Sequence, residues 1–314
     1  MFKYLYGFFF CFFFFTSCDK VNKPLEGYSS DLDQTLYPGV WSQYVANEWP
    51  DFSQTPNTNV YRNVLIEEFT GHKCSYCPLA SEEAHDLYLS NYGRVFIAAI
   101  HAGADPSGMT TFQEVNPLDY PTNFTNQQGL QMGAFFYNNS FDINNPRGTI
   151  NRKEEGGLMF HSATTWSSIT NSILNTNDLK VNIQGKINYF PTTKGAFLHV
   201  EVEKLDPNLS DLAIVSYLIE DSLIAPQAGD GTVFPDYDPE YVHRDIHRGN
   251  LSATPFGINL TADLISNDNY YINYSFVVPN QLDGNHNPSN MHVLVYVYDT
   301  ATLEIYQVIK VPIQ

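Results

Sequence analysis

The chain has 314 residues, of which 43% are hydrophobic and 16% are charged. This length and composition exclude wholesale disorder and leave room for two domains with separate cores. Its 16 Lys and Arg residues against 34 Asp and Glu residues give a net charge of −18, which repels phosphate backbones and anionic lipid headgroups and argues against a nucleic-acid partner.

Residues 1–17 have the composition of a secretory signal peptide. Lys3 precedes an apolar run over residues 5–15, which is shorter than the roughly 20 residues that a membrane span requires. Cys18 follows a Phe-Thr-Ser sequence that is similar to a relaxed bacterial lipobox. We therefore expect lipidation at Cys18 and a membrane anchor rather than a span, the alternative being an ordinary cleaved signal followed by an incidental cysteine.

Residues 18–57 form a polar, turn-rich segment that we interpret as a tether. Its isolated aromatic residues include Tyr37, Trp41, Tyr44 and Trp49. We expect these side chains to dock on the domain that follows. An aromatic platform for a ligand is the alternative.

A pair of cysteines three positions apart follows the first predicted strand. The apolar run over residues 64–66 leads through Glu67 and Glu68 to Cys74 and Cys77, which lie at a predicted helix start. Two cysteines in a first helical turn can close a small disulfide ring, and the free backbone N–H groups there favour a thiolate. This order is typical of a thiol-disulfide site, with Cys74 as the more exposed nucleophile and Cys77 as the resolving thiol.

Two other roles for this pair remain open, a structural disulfide and half of a zinc site. Zinc requires four ligands, and His72 lies too close in sequence for the usual spacing. With Cys11 removed in the signal and Cys18 lipidated, no third thiol remains in the folded part. In an exported compartment we expect the pair to be oxidised at rest, with neither a metal nor a cofactor.

The residues around the cysteines resemble a known family. The string Leu-Ile-Glu-Glu-Phe-Thr-Gly-His-x-Cys-x-x-Cys-Pro over residues 65–78 is similar to the signature of the Omp28-related outer-membrane lipoproteins of Bacteroidetes. The resemblance implies a thioredoxin-like N-terminal domain and a lipid-anchored location at the outer membrane. Lys73 departs from the thioredoxin pattern, which has tryptophan there, and this puts an ordinary thioredoxin reductase partner in doubt.

The first elements of residues 58–176 predict an α/β domain. A helix over 75–91 and an apolar strand over 94–101 complete a β-α-β unit, which is expected to be right-handed. The polar stretch over 102–128 is interpreted as an insertion that covers the dithiol.

The later elements of that domain are two short strands and a helix. The strands are predicted over 149–151 and 158–160. Trp166, Ile169 and Ile173 lie on one face of the closing helix. This order completes a thioredoxin-like sheet.

Two further residues are assigned to the site by analogy with thioredoxin-like folds. Glu68 lies where these folds keep a buried carboxylate that shuttles protons for the resolving cysteine, and burial would raise its pKa. The alternative is that Glu67 or Glu68 points outward from a strand end. Pro146 is the candidate for the cis-proline that faces the dithiol and leaves a backbone edge for substrate, although a trans-proline in a turn is the commoner state.

From residue 178 the hydrophobic period changes to two. Six or seven short strands over residues 177–314 predict an all-β, immunoglobulin-like sandwich domain. A connection rich in Gly, Pro and Asp over 225–255 interrupts it. We expect this half to fold as an independent fragment.

Two polar clusters in that connection are weak candidates for a metal site. His243 and His247 are four apart in the sequence His-Arg-Asp-Ile-His-Arg, which on a helix would bring two imidazoles together, but Pro239 and Gly249 favour a loop. The acidic residues lack the glycine and glutamate spacing of an EF-hand. They are Asp230, Asp236, Asp238 and Glu240.

The sequence thus favours an outer-membrane lipoprotein that carries out thiol-disulfide exchange on the thiols or disulfides of exported proteins. The competing hypothesis is a surface binding or adhesion lipoprotein in which Cys74 and Cys77 form a stable structural disulfide.

Overall fold

The computed structural model describes residues 32–266 and 268–313. Its helices are α1 (Trp41–Asn47), α2 (Cys77–Ser90), α3 (Gln127–Asn138) and α4 (Ala163–Thr176). Its strands are β1 (Val64–Thr70), β2 (Val95–His101), β3 (Arg147–Ile150), β4 (Val181–Phe190), β5 (Gly195–Lys204), β6 (Leu212–Glu220), β7 (Leu223–Ile224), β8 (Gln227–Ala228), β9 (Tyr237–Asp238), β10 (Val242–His243), β11 (Ile246–Asn250), β12 (Ile258–Asn259), β13 (Ile265–Ser266), β14 (Asn269–Val277), β15 (Met291–Asp299) and β16 (Ile305–Pro312). Within the described residues, no helix combines the length and apolar character needed to cross a membrane.

The N-terminal half is a mixed α/β region. Strands β1 and β2 are parallel and joined by α2, while β3 is antiparallel to β1. All seven residues of β2 are buried, as expected for a strand covered on both faces. Helix α4 packs on α2 through Trp166, Ile169 and Ile173. The predicted β-α-β unit and closing helix are confirmed.

The strand predicted over residues 158–160 is not formed. Instead the chain turns at Gly156 and Gly157, which both have positive φ, and makes single bridges between Glu155 and Leu158 and between Gly148 and His161. Glycine readily adopts this left-handed backbone conformation. Two such residues in succession turn the chain, so that a continuous ladder of strand hydrogen bonds does not form. The edge of β3 is therefore covered by one bridge at His161.

One large sheet runs through both halves of the chain. Its strand order is β16-β15-β6-β11-β2-β1-β3, and β11 lies between antiparallel β6 and parallel β2. A single core joins residues of β1 and α3 to Tyr217 and Tyr296 of the C-terminal half. The predicted boundary between residues 176 and 177 stays a prediction, and the two halves share one sheet and one core.

The C-terminal half is rich in strands and contains a second sheet, with the order β13-β14-β5-β4. Alternate residues of β6 and β15 point to opposite faces, as strand geometry requires. Ile214 and Val295 pack on the second sheet, whereas Tyr217 and Tyr296 pack on the N-terminal half. The strands β6 and β15 are therefore covered on both sides.

The aromatic residues of the N-terminal segment dock, but on a different surface from the one expected. Tyr44 is fully buried against Phe190 and Phe197, and its hydroxyl lies 2.5 Å from Nε2 of His199. The expectation that the segment docks on the α/β half is wrong. Phe190 and Phe197 lie on the outer face of β4 and β5, and the aromatic residues of the N-terminal segment bury them.

Candidate functional site

Cys74 and Cys77 form a disulfide, with Cα atoms 5.4 Å apart. Strand β1 ends at Thr70, and α2 begins at Cys77 with Pro78 in its first turn. The pair thus lies where the free N–H groups of a helix start favour negative charge on sulfur. The side chain of Tyr76, between the two cysteines, is exposed.

Both cysteines are buried, with 2% of Cys74 and 1% of Cys77 accessible to solvent. The sequence predicts an exposed Cys74 and a shielded Cys77, but both are shielded and differ by only one percentage point. Two segments of the chain cover the disulfide, one from each half.

The first covering segment is the predicted insertion. The backbone N–H of Lys73 donates to the carbonyl of Phe112 at 3.0 Å, and the side-chain amide of Gln113 donates to the carbonyl of Thr70 at 2.7 Å. A Cβ atom on Gly71 would lie 2.7 Å from the Phe112 carbonyl oxygen, so the close approach requires glycine there. The predicted cover over the dithiol is confirmed.

The second covering segment comes from the C-terminal half and was not predicted. The Nε2 group of Gln227 donates to the carbonyl of Cys74 at 3.2 Å and lies 3.4 Å from the carbonyl of Gly71. The N–H of Ala228 donates to the carbonyl of His72 at 2.8 Å. Gln227 is a single polar residue in a long connection, so the sequence offered no signal for this role.

Glu68 lines a small cavity that Cys77 also lines. It is 1% exposed and lines a cavity of ≈ 20 Å³ together with Cys77 and Ser81, which is room for about one ordered water. The Ser81 hydroxyl donates to the carboxylate at 2.8 Å. Burial raises the pKa of Glu68 to about 7, and the hydrogen bond from Ser81 offsets only part of this effect. The hypothesis that Glu68 points outward is wrong.

Glu67 points to the opposite face of β1 and pairs with Arg152. The guanidinium donates to the carboxylate at 2.6 and 2.7 Å, and both side chains are fully buried. Burial alone would raise the pKa of Glu67, but the adjacent cation, with hydrogen bonds from Arg152, Tyr217 and Thr149, lowers it. Glu67 is therefore a carboxylate locked into the shared core.

Pro146 lies beside the cysteine loop, the segment of residues 71–76 between β1 and α2 that carries Cys74. The Asn145–Pro146 peptide bond is cis, as predicted. Arg147 pairs with Phe69 in the β1–β3 ladder, which puts Pro146 next to Thr70, at the end of β1 that leads into the disulfide. The amide of Asn145 donates to the carbonyl of Ala102 at 2.8 Å.

Three histidines and Phe124 form an aromatic cluster beside the cavity. The Phe124 ring lies 4.5 Å from that of His101 and 4.3 Å from that of His243, and 5.6 Å from that of His72. Burial lowers the pKa of His101 well below its usual value and that of His243 to about 4. At neutral pH these two imidazoles are therefore uncharged.

The residues considered for a metal site have other surroundings. His243 ends β10 and lies at the cavity, while His247 in β11 packs on Tyr217 at 4.5 Å and lies 2.8 Å from Oδ1 of Asn250. Asp230 accepts three backbone N–H groups of its own loop, from residues 232–234. No group of three or more ligating residues lies together within residues 32–266 and 268–313.

Similarity to known proteins extends over most of the chain. The family model described as "Outer membrane protein Omp28" matches residues 134–314. The structure is similar to HBP35 of Porphyromonas gingivalis, with 19% identity, a TM-score of 0.57 and coverage of 81% of this chain and 76% of that one. A domain of the outer membrane lipoprotein Omp28 from the same species has 21% identity and a TM-score of 0.30 and covers 44% of this chain and 90% of that one. A search of curated proteins gave no match.

The matched residues 134–314 include Pro146 and the whole strand-rich half. The match begins after Cys74 and Cys77 in the sequence. The family model therefore carries no information about the disulfide.

Proposed function

The chain belongs to the Omp28 family of outer membrane proteins, and we propose that its N-terminal half carries out thiol-disulfide exchange on exported proteins. The observation that carries this proposal is the shared cavity of Glu68 and Cys77. A disulfide that only braces a fold needs no ionisable group behind it, and burying one costs stability. A carboxyl with a pKa near neutrality in the same small cavity as the inner cysteine suits proton transfer to and from a thiol.

The proposed reaction needs a partner protein but no cofactor. In the reduced protein the Cys74 thiolate, favoured by the start of α2, attacks a partner disulfide and releases one partner sulfur as thiolate. Cys77 then gives its proton to the Glu68 carboxylate and attacks Cys74. The mixed disulfide breaks, the second partner thiolate leaves, and the Cys74–Cys77 disulfide forms, so the partner is reduced by two electrons as this protein is oxidised.

We also propose finer fold assignments for the two halves. Residues 58–176 are a thioredoxin-like unit, supported by the parallel β1 and β2, the antiparallel β3 and the disulfide at the start of α2. Residues 177–314 are an immunoglobulin-like sandwich, supported by two sheets that pack face to face. The sandwich shares β11 with the sheet of the first unit.

A trapping experiment tests the exchange function. The Cys77→Ser variant, reduced and incubated with envelope extract, should accumulate partners bound to Cys74 through mixed disulfides, because the resolving thiol is missing. The Cys74→Ser variant is the matched control and should trap none. Equal, low trapping by both variants would contradict the proposal.

Burial of both cysteines specifically favours the competing function, a binding or adhesion protein with a structural disulfide. The reduction potential of the pair separates the two hypotheses. A value below about −300 mV indicates a structural bond, whereas exchange catalysts lie between about −120 and −270 mV. Measured equilibrium with glutathione or dithiothreitol buffers gives this potential directly.

A further inference from the structure

The cavity behind Cys77 is completed by the C-terminal half. Ala99 in β2 pairs with Glu68 of β1 on one side and with Ile246 of β11 on the other. The N–H of Ala99 donates to the carbonyl of Asp245 at 2.8 Å. Glu68 and the backbone of Asp245 thus lie on opposite sides of Ala99, and both residues line the cavity.

We infer that Asp245 is a second proton-exchanging group of the disulfide site, which relays the proton between Glu68 and solvent. This inference rests on the proposed exchange function. It assigns a chemical role to the His-Arg-Asp-Ile-His-Arg segment, which the sequence had marked only as a weak metal candidate.

The two residues differ in their exposure to solvent. Glu68 is buried with 1% exposure, whereas Asp245 is only half-buried. A proton taken from Cys77 by Glu68 is therefore held at a buried position. In this relay Asp245, the more exposed of the two residues, supplies the exit, with a water in the ≈ 20 Å³ space as the bridge.

The charges around the pair keep it close to a single negative charge at neutral pH. Burial, and then the charge of Asp221, raise the pKa of Asp245 to about 7, against the opposing effects of Lys310 and Arg244. Burial raises the pKa of Glu68 to about 7 as well, and the negative charge of Asp245 raises it further. Like charges in one cavity titrate as a pair, so one proton is shared over this range.

The other groups that face the cavity or the two carboxyls contribute little positive charge. The imidazoles of His101 and His243 are neutral, because burial lowers their pKa values. Arg244 is engaged by Glu82 at 3.2 Å. The remaining facing groups are Ser81, His85, Tyr88, Asp221, Tyr241 and Lys310.

In the resolving step the proton balance is then complete. At the start of this step the proton of the pair is on Asp245, and the S–H proton of Cys77 goes to the Glu68 carboxylate. The Cys77 thiolate forms the bond to Cys74 as the bond from Cys74 to the partner sulfur breaks. The doubly protonated pair then releases one proton to solvent through Asp245 and returns to its starting state.

Resolution kinetics test this role on the full-length, reduced protein with oxidised glutathione as the probe. Acid quenching and mass spectrometry follow the formation and decay of the Cys74–glutathione adduct between about pH 5 and pH 9. In Asp245→Asn we expect adduct formation at the wild-type rate and resolution at least about ten-fold slower, with a changed pH profile. Asp245→Glu should restore the rate, and Asp86→Asn, an exposed carboxylate on α2, is the matched control.

Resolution in Asp245→Asn that equals that of wild type and of Asp86→Asn at every pH overturns the inference. Equal slowing of adduct formation and resolution would indicate general damage and also overturns it.

An infrared titration of the oxidised protein separates this inference from the exchange function. Because a neighbouring like charge holds up the pKa of Glu68, its carboxyl band should titrate at lower pH in Asp245→Asn than in wild type. If wild type fails to react with glutathione but this shift is present, the exchange function fails and the coupled pair stands. If the band titrates identically in both proteins, the pair is uncoupled and the inference fails, whatever the reactivity.

Discussion

Glu67 and Glu68 are neighbours in sequence and lie in opposite environments, because successive residues of a strand point to opposite faces. Glu67 meets a buried guanidinium and stays ionised. Glu68 meets a hydroxyl from Ser81 and a small cavity, and its pKa rises to about 7. One strand thus holds a structural charge on one face and a titratable acid on the other.

The structural charge leads to a stability prediction. Glu67→Gln should lower the free energy of unfolding by about 3–5 kcal/mol, because it leaves the Arg152 guanidinium buried without a counter-charge. The double variant Glu67→Leu with Arg152→Met should be less destabilised, since no unpaired charge remains. Urea denaturation with Glu154→Gln, an exposed carboxylate, as control provides the measurement. A single variant as stable as this control contradicts the prediction.

The titratable acid leads to a prediction about pH. The pKa of Glu68 is raised from 4.5 to about 7, so between these values the folded state holds the proton more tightly than the unfolded state. Stability from this group is therefore lost as the pH rises from about 4.5 to 7, by up to about 3 kcal/mol. Glu68→Gln should remove this dependence.

The measurement is the difference in unfolding free energy between wild type and Glu68→Gln across pH 4.5 to 7. The difference is needed because His101 and His243, with lowered pKa values, make stability rise with pH over part of the same range. A difference that stays constant with pH would show that Glu68 titrates normally.

At the scale of elements, the disulfide is closed in by two loops that belong to different halves. Tyr237 in the C-terminal loop donates to the carbonyl of Asp119 in the insertion at 3.0 Å, and its ring lies 5.5 Å from that of Tyr120. The two covers therefore contact each other as well as the cysteine loop, and access to sulfur requires their movement.

The cover leads to a prediction about reactivity. Gln227→Ala removes the side-chain amide that donates to the carbonyl of Cys74 and should accelerate reduction of the disulfide by tris(2-carboxyethyl)phosphine several-fold, because local opening becomes easier. Gln54→Ala, at an exposed position of the N-terminal segment, is the control. The rate is read by alkylation and mass spectrometry. An unchanged rate would mean that the amide does not hold the cover closed.

Elements with local signals were predictable from the sequence. The apolar runs of β1 and β2, the helix start at Cys77 and the face of α4 all follow from residues close together in the chain. The pairing of β11 with β2 rests on one register pair, Ile246 with Ala99. No pattern of neighbouring residues in the sequence indicates this pairing. The second half of the candidate site, Gln227 and Asp245, therefore could not be placed from the sequence.

The histidine motif shows how a spacing can mislead. Four residues apart, His243 and His247 would share a helix face, but the chain forms β10 and β11 there, with a left-handed residue, Asp245, between them (φ 49°). The two rings diverge, one toward the cavity and one toward Tyr217. The residue between them, Asp245, lines the cavity together with Glu68 and His243.

At the scale of the whole molecule, the N-terminal segment fixes where a lipid anchor would be attached. Leu32 is buried. The backbone N–H of Asp33 donates a hydrogen bond to the hydroxyl of Ser275, which lies in β14 of the second sheet. Cys18 lies outside the described residues. Residues 18–31 span at most about 50 Å when extended, so an anchor at Cys18 would keep that sheet near the membrane.

We propose lipidation at Cys18 and predict its loss in Cys18→Ala, which should appear in the soluble fraction or keep its signal peptide. Cys11→Ala, within the apolar run, is the matched control and should remain membrane-bound. Mass spectrometry of the mature N-terminus checks both. An unmodified residue at the wild-type N-terminus would contradict the proposal.

The shared sheet also bears on whether the two halves can exist apart. The periodicity change near residue 178 predicted a fragment that folds alone, but β6 and β15 carry two buried faces. In a fragment of residues 177–314 the face that contains Tyr217, Tyr296 and Tyr298 would lose its cover from β1 and α3. An apolar face of this kind is stable only when it is buried.

We therefore predict that the fragment 177–314 unfolds at lower urea concentration than the full chain, binds a hydrophobic dye such as anilinonaphthalene sulfonate and self-associates. A fragment in which Tyr217, Tyr296 and Tyr298 are replaced by Thr, Lys and Thr should bind less dye and stay monomeric, because its second sheet can still cover the opposite face of β6 and β15. Circular dichroism and sedimentation measure folding and association. A wild-type fragment that melts cooperatively as a monomer without binding dye would show that the C-terminal half has a core of its own and that the shared face is an ordinary interface between domains.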